Sequence, residues 1–93
     1  MRDIDKVIES LARAHPGLLH EQLRVSQPGI DDDGLWFFRH PGCPYEVQLE
    51  SPTGNCPFLC ETDERHSPAQ ASTVAEAVSL VAAGLGLAQP QPN

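Results

Sequence analysis

Residues 35 to 50, LWFFRHPGCPYEVQLE, constrain the fold more than any other stretch of this chain. YEVQLE alternates strictly, with Tyr45, Val47 and Leu49 on one side and Glu46, Gln48 and Glu50 on the other, which is the period of a half-buried strand. LWFFRH is rich in aromatic residues, and these fit the pleated surface of a strand. The intervening PGCP is made of turn formers, so the two segments predict a hairpin. Pairing His40 with Tyr45 across the turn sets Phe38 opposite Val47 and Trp36 opposite Leu49, all on one face. The same register brings Arg39 opposite Glu46, an opposite-charge pair.

CPFLCETD, residues 56 to 63, continues the pattern as a further strand. Pairing Ser51 with Cys56 across PTGN sets Phe58 opposite Leu49 and Cys60 opposite Val47, so both hairpins select the same face for burial. The N-terminal DIDKVIESLARAHPG carries Ile4, Val7, Ile8 and Leu11 at helical spacing. Asp3 is its candidate N-cap, and Pro16 and Gly17 end it. TVAEAVSLVAAGLGL predicts a second helix, opened by the capping box Thr73-x-x-Glu76. Gly84 and Gly86 at its end read as helix termination or close packing, because they do not lie between a strand and a helix as a phosphate cradle requires. LLHEQLRV, residues 18 to 25, alternates on Leu19, Glu21, Leu23 and Val25 as a strand does, with a helical reading still open. SQPGIDDDG and ERHSPAQAS read as loops.

The expectation is an α+β fold: a small antiparallel sheet of three to four strands, with N- and C-terminal helices on one face. With 93 residues the chain has room for one modest core. A single domain over residues 1–88 and a disordered tail over 89–93 follow from the same reading.

Charge and patterning exclude several function classes. Six Lys and Arg against thirteen Asp and Glu give a formal net charge of −7. Phosphate neutralisation needs clustered bases, so a nucleic-acid binder is not expected. No apolar run approaches the roughly 20 residues of a membrane span. MRDIDKVIES lacks the apolar core of a signal peptide, and three cysteines, an odd number, predict free thiols in a reducing cytoplasm.

Chemistry-bearing clusters are sparse. On a strand, Cys56 and Cys60 stand roughly 13 Å apart, too far for one disulfide or one zinc ion, and read as small core residues beside Phe58. Cys43, in the PGCP turn, is the thiol most open to reaction. The alternative function is a small zinc- or thiol-dependent protein using Cys43, Cys56, Cys60 and His66. The three consecutive aspartates of IDDDG lack the alternating ligands and terminal Glu of a calcium loop. His15, His20, His40 and His66 are scattered, and none adjoins a recognisable nucleophile motif. No catalytic residue, metal site or cofactor is assigned.

The small size, the acidity and the helix–sheet–helix order are similar to those of type III secretion chaperones and of the immunity proteins of bacterial toxin systems. The sheet followed by STVAEAV resembles the pattern of HicB-like antitoxins. The coarse order is also that of a double-stranded-RNA-binding domain, but STVAEAV stands where such domains carry a basic cluster. None of these resemblances rests on a specific motif, and no family is assigned.

The remaining feature is the sheet face turned away from the helices. It is expected to carry Leu35, Phe37 and Leu59 beside Gln48 and Pro57, with Arg39, Glu46, Glu50 and Glu61 around them. An outward face is usually polar, so an apolar patch there points either to cover by the loop over 26–34 or the first strand, or to contact with another surface, since two helices can cover only one face of so small a sheet. The expected function is a non-enzymatic protein-interaction module of adaptor, chaperone or immunity type, with Leu35, Phe37, Leu59, Arg39 and Glu46 as its patch. A basic protein partner, or a second copy in a homodimer, would meet it.

Overall fold

The computed structural model describes residues 2–22, 34–62 and 68–87. The elements are α1 (Asp3–Ala14), β1 (Leu19–Gln22), β2 (Leu35–Arg39), β3 (Val47–Glu50), β4 (Phe58–Thr62), β5 (Ala69–Ala71) and α2 (Val74–Leu85). The strands pair as one open antiparallel meander in the order β1-β2-β3-β4-β5. The chain thus adopts the expected α+β fold. Its sheet has five strands because residues 69–71, read from sequence as loop, pair with β4. Of the 18–25 segment, Leu19–Gln22 is a strand paired with β2, and 23–25 lie outside the described residues, as do Asp31, Asp32, Asp33, His66 and the tail over 89–93.

Alternation decides what is buried. Trp36 and Phe38, Val47 and Leu49, and Phe58 and Cys60 all face inward and are nearly or wholly inaccessible. α2 lies against β2 to β5, and α1 lies against α2. Ile4, Val7 and Leu11 of α1 join Ala77, Val81, Ala82 and Leu85 of α2 in one continuous core with the inward side chains of the sheet. Each large apolar side chain removed from water there contributes about 1.5–3 kcal/mol.

The β2–β3 register is the expected one, with Trp36 opposite Leu49 and Phe38 opposite Val47. The β3–β4 register differs by two residues: Leu49 faces Cys60 and Val47 faces Thr62. A shift of two preserves which side chains point inward, so the core is unchanged. The shift arises because the connection is longer than PTGN. It runs from Ser51 to Pro57, with the Cys56–Pro57 peptide cis. Cys56 therefore lies in this turn and not on the strand, half-buried against the core, while Cys60 alone of the pair is a strand residue.

The start of α1 holds that turn in place. Ile4 N donates to Gly54 O at 2.8 Å and Asp3 N donates to Asn55 Oδ1 at 2.9 Å. Cys56 N donates in turn to Asp3 Oδ2 at 2.9 Å, and the buried Ser51 closes the turn from inside, its Oγ donating to Asn55 O at 2.6 Å. Arg2, not Asp3, is the N-cap, because the Asp3 carboxylate is turned to the neighbouring turn; Asp5 accepts from Arg2 N at 3.2 Å. Two orphan donors of the helix start thereby find acceptors in the turn, Asp3 N at Asn55 and Ile4 N at Gly54.

The hydrogen bond from Cys56 N holds the Asp3 carboxyl below its ordinary value, assisted by nearby Lys6. A carboxylate with a depressed folded pKa stabilises the fold above its unfolded pKa of about 3.9, and that contribution is lost as pH falls through the folded value. Asp3→Asn is therefore expected to melt below the wild type at pH 7, with the gap closing as pH drops below about 4. A gap that stays constant down to pH 2.5 would show that the charge of Asp3 plays no part.

At the other end, Thr73 is the N-cap of α2 and its Oγ1 accepts from Glu76 N at 3.1 Å, the first half of the expected capping box. The two glycines that follow separate into the two roles read from sequence. A Cβ on Gly84 would lie 2.7 Å from Val47 Cγ2 and 2.8 Å from Thr62 Cγ2, so Gly84 lets α2 approach the sheet. Gly86, at φ +76°, ends the helix in the left-handed region. Among the described residues, no helix is long and apolar enough to cross a membrane.

Candidate functional site

The face of the sheet turned away from the helices is built by the same alternation that builds the core. On β2 it carries Leu35, Phe37 and Arg39; on β3, Gln48 and Glu50; on β4, Leu59 and Glu61. The pairing of β1 adds Leu19 opposite Arg39 and Glu21 opposite Phe37. Two rows cross the sheet. One runs Glu21–Phe37–Gln48–Glu61 and the next Leu35–Glu50–Leu59–Gln70. Leu35 and Leu59 thus stand on either side of Glu50, and Phe37 stands diagonally next to it.

Three of the five expected patch residues are apolar, and their exposure differs. Leu35 and Phe37 are half-buried, whereas Leu59 is 42% exposed. Pro57 lies in the turn before β4 and not among the strand residues of this face. The other two patch residues, Arg39 and Glu46, form an ion pair, with Arg39 Nε donating to Glu46 Oε2. The Arg39 side chain is 62% exposed, so the pair stabilises the fold by at most a fraction of about 1 kcal/mol and chiefly orients the two side chains. Between β1 and β2 a recess of about 120 Å³ is lined by Leu19, His20, Glu21, Phe37 and Arg39.

Leu19 and Glu21 belong to this face but were not read as part of the patch. Among the described residues Leu19 is the most exposed large apolar side chain, at 57%. The signal was present in the alternation Leu19, Glu21, Leu23, Val25, and pairing to β2 decides which face it joins. The outward side chains are apolar, carboxylate, amide and guanidinium groups, with no Ser, Cys or His among those of the described strands. Such a surface offers shape, apolar area and negative charge to a partner.

The thiols are placed apart from it. Cys60 is 2% exposed and faces the core, and Cys43 packs half-buried against the core from the β2–β3 turn. Burial pushes the Cys56 thiol up, and the neighbouring Asp3 carboxylate raises it further, so it stays protonated at neutral pH and is a poor nucleophile. Among the described residues no three His, Cys, Asp or Glu side chains gather as a metal site, and His66 lies outside them.

An open cleft of about 630 Å³ lies between the start of α1 and the β1–β2 edge, where Arg2, Asp5, Ile8, His20 and Gln22 meet Trp36 and where Glu21, Phe37 and Arg39 of the outward face also border it. Arg2 and Asp5 already pair at 3.8 Å, and the Arg2 guanidinium lies 5.9 Å from the centre of the Trp36 ring. No family model, curated protein or solved structure matches the chain.

Proposed function

We propose that the chain is a protein-interaction module, of the adaptor, chaperone or immunity type, that binds through the outward face of its sheet, centred on Phe37. One observation supports this reading above the others. The two helices occupy one side of the sheet, and the described residues of the other side hold Leu35, Phe37, Leu59 and Leu19 among carboxylates. Apolar groups on a face that alternation would otherwise leave polar, half-buried at Leu35 and Phe37 and exposed at Leu19 and Leu59, favour association with another surface.

Phe37→Glu tests it. A charge placed at a solvent-facing site is tolerated, whereas a charge forced into a core without a counter-ion is strongly destabilising. Phe37→Glu is expected to stay folded, with a melting midpoint close to wild type, and to lose self-association or capture of the partner. The new carboxylate would sit beside Glu21, so a small loss of stability at low salt should fade as salt is added. Melting and light scattering on the same sample check both halves. Unfolding at every salt concentration would assign Phe37 to the core and remove the support for an interaction face.

A further inference from the structure

Resting on that reading, we propose that the occupant of this face is a basic amphipathic helix of another protein, not a second copy of this chain. The inference comes from where the charges stand. Arg39 is already paired with Glu46. Glu21, Glu50 and Glu61 share the face, and among the described residues none of the three pairs with a cation. A two-fold pairing of identical faces would set these carboxylates against one another, in a chain whose formal charge is already −7. A partner bearing Lys or Arg would neutralise them as it covers Phe37 and Leu35.

The spacing suits a helix. Glu21 and Glu61 lie in one cross-strand row on strands three apart, about 14 Å at the usual strand separation of about 4.8 Å. A helix with its side chains is about 10–12 Å across. Lying along β2 and β3 with an apolar stripe on Leu35 and Phe37, it would place basic residues on its two flanks within reach of Glu21 on one side and Glu61 on the other. Glu50, in the next row, would take a base one turn further along. Lys and Arg reach such carboxylates while their stems cover apolar surface.

Three synthetic peptides of about 18 residues test this, one with Leu and Lys in an amphipathic helical pattern, one with Gln replacing every Lys, and one with Glu. Affinity is read by fluorescence anisotropy at 50 and 300 mM salt, and the free protein's mass by light scattering. The Lys peptide is expected to bind, the Glu peptide not to bind, and the affinity to fall with salt. Glu50→Gln/Glu61→Gln should weaken binding on the order of tenfold at low salt, whereas Glu9→Gln/Glu76→Gln, an equal change of charge on the helices, should change it less than about twofold. Phe37→Ser should abolish it, and melting confirms that each variant is folded. Equal weakening by both double variants, or equal binding of the Gln peptide, overturns the charge argument and leaves the interaction face standing. A wild-type dimer dispersed by Phe37→Ser also overturns the basic-helix proposal while supporting the face. Binding unaffected by Phe37→Ser removes both.

Discussion

Trp36→Ala is expected to cost about 3–5 kcal/mol, a large part of the stability available to a domain of this size. Trp36 is 3% exposed, flanked in register by Gln22 of β1 and Leu49 of β3, and its ring lies under the Arg2 guanidinium. Its removal leaves a cavity in the core that α1, α2 and the sheet share. At about 4–8 °C per kcal/mol for a domain of this length, the melting midpoint should fall by more than about 10 °C. Urea unfolding followed by circular dichroism measures it, since the variant loses the protein's one tryptophan as a fluorophore. Trp36→Phe, which keeps an apolar ring, should retain most of the stability. A loss below about 1 kcal/mol for the alanine variant would show that the inward face has been assigned to the wrong side chains.

Gly34→Ala is expected to be nearly as damaging, although it adds a single methyl group. A Cβ there would stand 2.2 Å from Ser51 O and 2.8 Å from Ser51 C, far inside the roughly 3.5–4.0 Å of a favourable contact. The obstacle is backbone, so no rotamer change relieves it. Ser51 N also donates to Gly34 O at 2.8 Å, and moving the strands apart would break that bond. The cost should reach about 3 kcal/mol, the upper end of the usual range for overpacking. Because the Ser51–Pro57 turn seats α1, the loss should appear as a lower unfolding midpoint together with weaker protection of the α1 amides in hydrogen exchange. Stability within about 0.5 kcal/mol of wild type would show that the two backbones separate freely at this point.

The parts of the fold that were legible in the sequence are those fixed by neighbours in the chain. The β2–β3 register follows from the PGCP turn formers between an aromatic segment and an alternating one, and Arg39 with Glu46 follows from that register. The β3–β4 register differs by two residues from the one local pattern predicts, and Asp3 and Ile4, some fifty positions away, hold the turn. No local pattern carries that information. β5 has no local signal, because Ala69, Gln70 and Ala71 have no strand preference. Ala71 is buried there because a small side chain fits between Phe58 and α2. The outward face was legible in kind, since Leu35, Phe37 and Leu59 alternate with core residues. The contribution of β1 was not, because its strand character was ambiguous until its partner was known.

The bonds between Asp3, Ile4 and the Ser51–Pro57 turn also order the events of folding. Each sheet pairing joins strands consecutive in the chain, whereas seating α1 closes a loop of about fifty residues, and the entropy of closure rises with loop length. Contacts between distant residues are correspondingly slow to form. The acceptors at Gly54 and Asn55 also have no fixed positions until the β3–β4 turn has its shape. α1 is thus expected to be among the last elements to dock, its apolar stripe of Ile4, Val7 and Leu11 unsheltered until the middle of the chain has folded.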